Sequence, residues 1–140
     1  MKYFEFEFEN PIFNEDGEIE RTEKEKLELR MTTTNAKTLE SKTGRSIFDL
    51  VQDMSITNIS KMLMYLLKGK KENISEKEAD TLTDKLVDNG YTFEKIMMEI
   101  IFEALVVSGF LSKEQLEEAK TLKEEVKENN KKKVIEDLQK

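Results

Sequence analysis

Cysteine, histidine and tryptophan are all absent from this chain, and it has one proline and five glycines. Without cysteine there are no disulfides, no thiolate metal ligands and no thiol nucleophile. Without histidine the commonest general base near neutral pH and the commonest zinc ligand are missing as well. The glycines stand singly, so no phosphate-cradling loop can form, and no Walker, GxGxxG, HExxH or EF-hand pattern occurs. Catalytic, cofactor-binding and metal-ligating residues are therefore assigned to none. Carboxylates, Lys, Tyr or Ser remain for an enzyme, but most hydrolase and transferase designs are closed.

Long hydrophobic runs are also lacking. No apolar stretch reaches the ~18 residues needed to span a bilayer, and MKYFEFEF lacks the basic and apolar blocks of a signal peptide. No membrane partner and a cytoplasmic location are the expectation. Net charge is −7, opposite to the basic footprint of a nucleic-acid binder. Residues 1–30 carry ten acids against five bases, 31–111 twelve against ten, and 112–140 eight against eight, so no segment forms a strong basic patch. A helix-turn-helix over 46–68 fails for the same reason. Its second helix, with Met62 to Leu67 at the centre, has almost no Arg, Asn or Gln to read bases.

What is present is a change of period. Tyr3 to Glu9 alternates Phe4, Phe6 and Phe8 with glutamates, the pattern of a half-buried strand. Asn10–Pro11 and Asn14-Glu-Asp-Gly17 supply turn chemistry. Leu27, Leu29 and Met31 share a face of a second extended stretch, with Glu18 to Lys26 open between loop and strand. From Thr34 onward the period becomes helical. Thr33 or Thr34 caps a helix that Gly44 ends, and Ser46 caps a second. A third runs from about Thr57 to Lys68, with Gly69 closing it. Ser75-Glu-Lys-Glu78 is a capping box that opens a helix to about Asp88, stopped by Asn89–Gly90. Thr92 caps the most apolar helix, to Ser108, and Gly109 ends it. Ser112-Lys-Glu-Gln115 opens a charged last helix carrying Leu116, Ala119, Leu122 and Val126.

These elements predict a mainly α (α+β) protein, an N-terminal β-hairpin followed by about five or six helices in a bundle. Residues 1–111 form the hairpin and helical core, and 112–140 a charged C-terminal helix or tail. That tail either frays in solvent or zips against a partner helix.

Two features invite a functional reading. Glu76, Asp80, Asp84 and Asp88 recur every four residues along one helix face, where like charges repel by about a few tenths of a kcal/mol per pair. They form either a docking face for a basic partner or a solvated face neutralised by Lys77, Lys85, Lys68, Lys70 or Lys71. Met54, Met62, Met64, Met97 and Met98 cluster in or beside the two most apolar helices, where the flexible thioether suits an adaptable groove or fills gaps in a core. A client-binding surface drawn from Met62, Tyr65, Leu66, Met97 and Ile101 is one expectation; ordinary core is the other.

Leu29-Arg-Met-Thr-Thr-Thr34, followed by Ala36, Leu39-Glu40, Gly44 and Ser46-Ile47, resembles the opening of the tail assembly chaperones of long-tailed bacteriophages, the Gram-positive phage and prophage type above all. The likeness continues through Glu78-Ala79, Leu82, Asp84 and Glu103-Ala104 to Ser108-Gly109-Phe110. The resemblance implies a small helical protein of the host cytoplasm that is no enzyme. It would bind the tape measure protein and keep it soluble until tail tube subunits polymerise around it. It also implies self-association into a homo-oligomer, and in many such phages a frameshifted longer form that recruits the tail tube protein. The alternative is an acidic helical structural or regulatory protein-binding module, a virion connector or a transcription-associated protein.

Overall fold

A computed structural model describes residues 2–53 and 55–122. Two antiparallel strands, β1 (Phe4–Phe13) and β2 (Ile19–Leu29), form the hairpin. Asn14 makes its turn: its Oδ1 accepts from the backbone N–H groups of Asp16 and Glu18 at 3.0 and 2.9 Å. Gly17 takes φ +79° there, a conformation that glycine adopts without a side-chain clash. The run Glu18 to Lys26 is thus resolved as strand from Ile19 on. The alternation has the expected consequence at the hairpin base. Phe4 pairs with Leu29, Phe6 with Leu27 and Phe8 with Glu25, and Phe8, Leu27 and Leu29 are buried in the core. Phe6 also meets the Tyr91 ring edge-on at 5.5 Å. Glu5, Glu7 and Glu9 take the other face, in solvent.

The helices follow as α1 (Thr33–Thr43), α2 (Ile47–Gln52), α3 (Ile56–Leu67) and α4 (Glu76–Asp88). Next come α5 (Phe93–Lys95), a π-helical segment (Ile96–Ile101) and α6 (Phe102–Val107), which run on without a break. A last helix, α7, occupies residues 113–122. Each start has the side-chain oxygen that a helix N-terminus needs. Ser46, Ser55, Ser75 and Thr92 accept from the third residue beyond them. The cap of α1 is Thr32, one or two residues earlier than the sequence pattern indicates. Ser112 and Gln115 bond reciprocally, the Ser hydroxyl accepting from Gln115 N–H and the Gln Oε1 from Ser112 N–H. Leu116 is buried, so the core extends past residue 111 into α7. Residues 123–140, including Val126 and the rest of the charged tail, lie outside the described residues, as does Met54.

α3 and the α5–π–α6 rod form the heart of the core. Leu63, Leu66, Ile96, Ile100, Ile101 and Leu105 are fully enclosed, and burial of each such side chain contributes roughly 1.5–3 kcal/mol. The strand leaving the hairpin crosses between the ends of these helices. Arg30 N–H donates to the Leu66 carbonyl at 3.0 Å, and Met31 N–H donates to Ser108 Oγ at 2.9 Å. Gly69 directly follows Lys68, the C-cap of α3, where a closing glycine is expected, but it does so without the positive φ that Gly44, Gly90 and Gly109 take. The backbone of Arg30 lies directly against it. A Cβ at residue 69 would overlap the Arg30 carbonyl oxygen and sit 3.0 Å from its carbon.

Gly69→Ala is therefore expected to lower stability by about 1–3 kcal/mol, the usual range for overpacking against atoms that cannot yield. Urea denaturation monitored by circular dichroism would read this. An unchanged midpoint would mean that the crossing strand is free to shift.

Candidate functional site

The five apolar residues expected to offer a client surface do not do so in this fold. Met62, Tyr65 and Leu66 on α3, and Met97 and Ile101 in the π-helical segment, are all buried. Helical period locates an apolar face but not what covers it, and here α3 and the π-helical segment cover each other. Met98 is likewise buried and Met64 half-buried against the core. The methionines with described positions in these helices fill the interior.

The acidic series fares differently. Glu76, Asp80, Asp84 and Asp88 are all exposed on α4, and three of them line an open cleft of about 390 Å³ between α3 and α4. Ile56, Thr57 and Ser60 form the α3 wall, Glu76, Asp80, Thr83 and Asp84 the α4 wall, and Phe93 closes one end. Asp88 does not line it. Spacing explains the walls: positions 76, 80, 83 and 84 lie on one side of a helix, as do 56 and 60.

The Ser60 hydroxyl donates to Asp80 Oδ1 and ties the two walls together. Thr83 is buried, and its hydroxyl is satisfied by the Ala79 carbonyl at 2.9 Å. Among the described residues, no cationic side chain pairs with Glu76, Asp80 or Asp84. The lysines expected to neutralise this face are largely engaged elsewhere. Lys85 reaches Glu25 of the hairpin at 3.1 Å and Lys70 reaches Glu28 at 3.2 Å. Lys68 lies over the Tyr65 ring and bonds the Glu72 carbonyl. The cleft thus keeps its negative charge. No group of three or more such carboxylates among the described residues is close enough to hold a metal ion.

Two apolar lips escaped the sequence pattern. Ile56 is 64% exposed although it lies three residues before the buried Ile59, on the same helical stripe. It occupies the first position of α3, where the stripe has run past the end of its covering helix. Phe93 stands similarly at the first position of α5, half-buried against the core and facing the cleft. The signal available in sequence was position alone: each directly follows a capping residue, Ser55 or Thr92.

Comparison with protein-family models, curated proteins and solved structures finds no match to this chain. Among the described residues no helix is long and apolar enough to cross a membrane.

The contrast between core and cleft is measurable. Met62→Ala and Leu66→Ala are each expected to cost about 2–5 kcal/mol by removing fully enclosed side chains. Ile56→Ser is expected to stay within about 0.5 kcal/mol of the parent, as an exposed position should. Equal costs at all three in chemical denaturation would mean that Ile56 is covered in solution.

Proposed function

We propose that this protein acts by binding rather than by catalysis, as an assembly chaperone of the phage-tail type that holds the tape measure protein soluble in the host cytoplasm. The α3–α4 cleft carries the reading. It combines an exposed isoleucine, a half-buried phenylalanine and carboxylates that pair with no cationic side chain among the described residues. An amphipathic helix that presents one or two apolar side chains flanked by Lys or Arg complements such a surface. The apolar lips supply contact area, and the carboxylates accept charge-assisted hydrogen bonds and disfavour acidic competitors.

The likeness of residues 29–111 to tail assembly chaperones supplies the client class. On this reading the cleft is the surface that receives it. A solubilising partner needs apolar contact surface on a charged body; among the described residues the large apolar side chains left exposed are Phe13, Ile19, Phe48, Ile56, Val87 and Leu122, of which Ile56 lines the cleft.

Co-expression of the tagged protein with the tape measure protein encoded beside it tests the reading. A client that becomes soluble and co-purifies supports it. Asp80→Lys/Asp84→Lys and Ile56→Asp variants should lose that capture while keeping wild-type circular dichroism. A client that stays insoluble with the parent, or is captured equally by both variants, would remove the cleft's role.

A further inference from the structure

The hairpin extends well beyond the body that its base packs on. Twelve consecutive residues, Phe13 to Lys24, are exposed, including Phe13 at 58% and Ile19 at 62%, which face each other across the two strands. A two-stranded ribbon that stands alone is only marginally stable in water. Among the described residues no third strand pairs with either edge, so both edges of the exposed outer half are open. Open edges with exposed apolar residues invite a third strand, and natural edges are usually guarded by charge, proline or bulges.

The two edges are guarded unequally. β1 carries Glu5, Glu7 and Glu9 on one face, so pairing with its own copy sets glutamate against glutamate, and Pro11 has no N–H to donate. β2 has the opposite character. Its charges are arranged with opposite signs about Thr22. When two β2 strands run antiparallel with Thr22 facing Thr22, Arg21 faces Glu23 within the regular stretch and Glu20 faces Lys24 at its end, each pair occurring twice. Within the regular stretch no like charges meet. The strand is regular from Arg21 to Leu29, with the unpaired Glu20 marking a bulge at the start of the tip, so the central pairs lie where the register is undisturbed.

The same register brings the tip to a second complementary surface. Beyond the bulge at Glu20 the tip comes near a groove that runs along the inner half of the second copy's β2. Consecutive residues Glu25, Lys26, Leu27 and Glu28 line this groove, together with Leu67, Ile74, Leu82, Lys70, Lys71 and Glu78. That consecutive strand residues of both faces line it marks it as the strand's edge. The groove's floor of Leu67, Ile74 and Leu82 suits the exposed Ile19, and its lysines Lys26, Lys70 and Lys71 stand among Glu25, Glu28 and Glu78.

We propose that the outer edge of β2 is a self-association site, through which two copies pair as a four-stranded antiparallel sheet centred on Thr22, with each hairpin tip seated against the other's groove. Such a contact is isologous and closes at a dimer, so it does not propagate into fibres. It stands independently of the client proposed above.

Sedimentation velocity of the full chain, with charge swaps, tests this. The parent should dimerise. Arg21→Glu and Glu23→Arg should each weaken the dimer about tenfold or more, because each turns two cross-strand attractions into repulsions. An equimolar mixture of the two variants should restore the dimer as a heterodimer, since each repulsion then becomes an attraction. Thr22→Cys, the sole thiol in a chain without cysteine, should form a disulfide-linked dimer under mild oxidation. A parent that sediments as a monomer at every concentration overturns the proposal. So does a dimer indifferent to both swaps.

Discussion

The structure depends on how four residues cross its interior. Leu29 to Thr32 leave the hairpin, pass between the ends of α3 and α6, and start α1. A backbone buried in that way must find hydrogen-bond partners or pay heavily for their loss. Arg30 N–H finds the Leu66 carbonyl and Met31 N–H finds the Ser108 hydroxyl, which in turn donates to the Ala104 carbonyl at 2.8 Å. Leu29 and Met31 are enclosed on either side of Arg30, and Gly69 leaves room for the Arg30 carbonyl. Thr32 then caps α1 through its hydroxyl. The hairpin base, α1, α3 and α6 are thereby held in one arrangement. This fixes the α3 wall of the cleft and anchors the base of the projecting arm.

The residues behind the likeness to tail assembly chaperones have largely this structural work. Leu29, Met31, Leu39, Ile47, Ala79 and Ala104 are buried. Glu40 accepts from Ile47 N–H at 2.8 Å and joins α1 to α2. Gly44 and Gly109 take the positive φ values at which the chain turns, and Ser108 holds the crossing strand. In this fold the pattern behind that resemblance is a skeleton of caps, turns and packed residues. It describes a fold more directly than a binding site.

Much of that skeleton was legible because its signals are local. Phenylalanine–glutamate alternation marks β1, and Ser or Thr followed by a helical stripe marks nearly every helix start. The strand over Ile19 to Lys26 was not legible, since it is charged and exposed on both faces and its pairing with β1 is what makes it a strand. Nor was the π-helical segment, since IMMEII reads as any buried helix. The site divided in the same way. The acidic ladder on α4 is a matter of spacing and was visible. Whether Met62, Leu66 or Ile101 faced a partner or another helix depended on long-range packing, which period cannot encode. The release of the cleft from neutralising lysines depended on Lys70 and Lys85 turning to Glu28 and Glu25 of the hairpin. That too is a tertiary fact.

Those two ion pairs are exposed enough to contribute little to stability, yet they direct positive charge toward the hairpin side and leave the cleft side acidic. The molecule therefore presents two distinct surfaces: an acidic cleft with apolar lips, proposed to receive a client helix, and a charge-paired strand edge, proposed to receive a second copy. The central claim is that the cleft, and not the methionine-rich interior, meets the client. Amide hydrogen exchange on the protein alone and in its co-purified complex with the tape measure protein tests that claim most directly. The account predicts slowed exchange at residues 56–60 and 76–84, with the already protected interior of the π-helical segment unchanged. Faster exchange through the π-helical segment and α3, with no protection at the cleft, would mean that the core opens to take the client, and would contradict it.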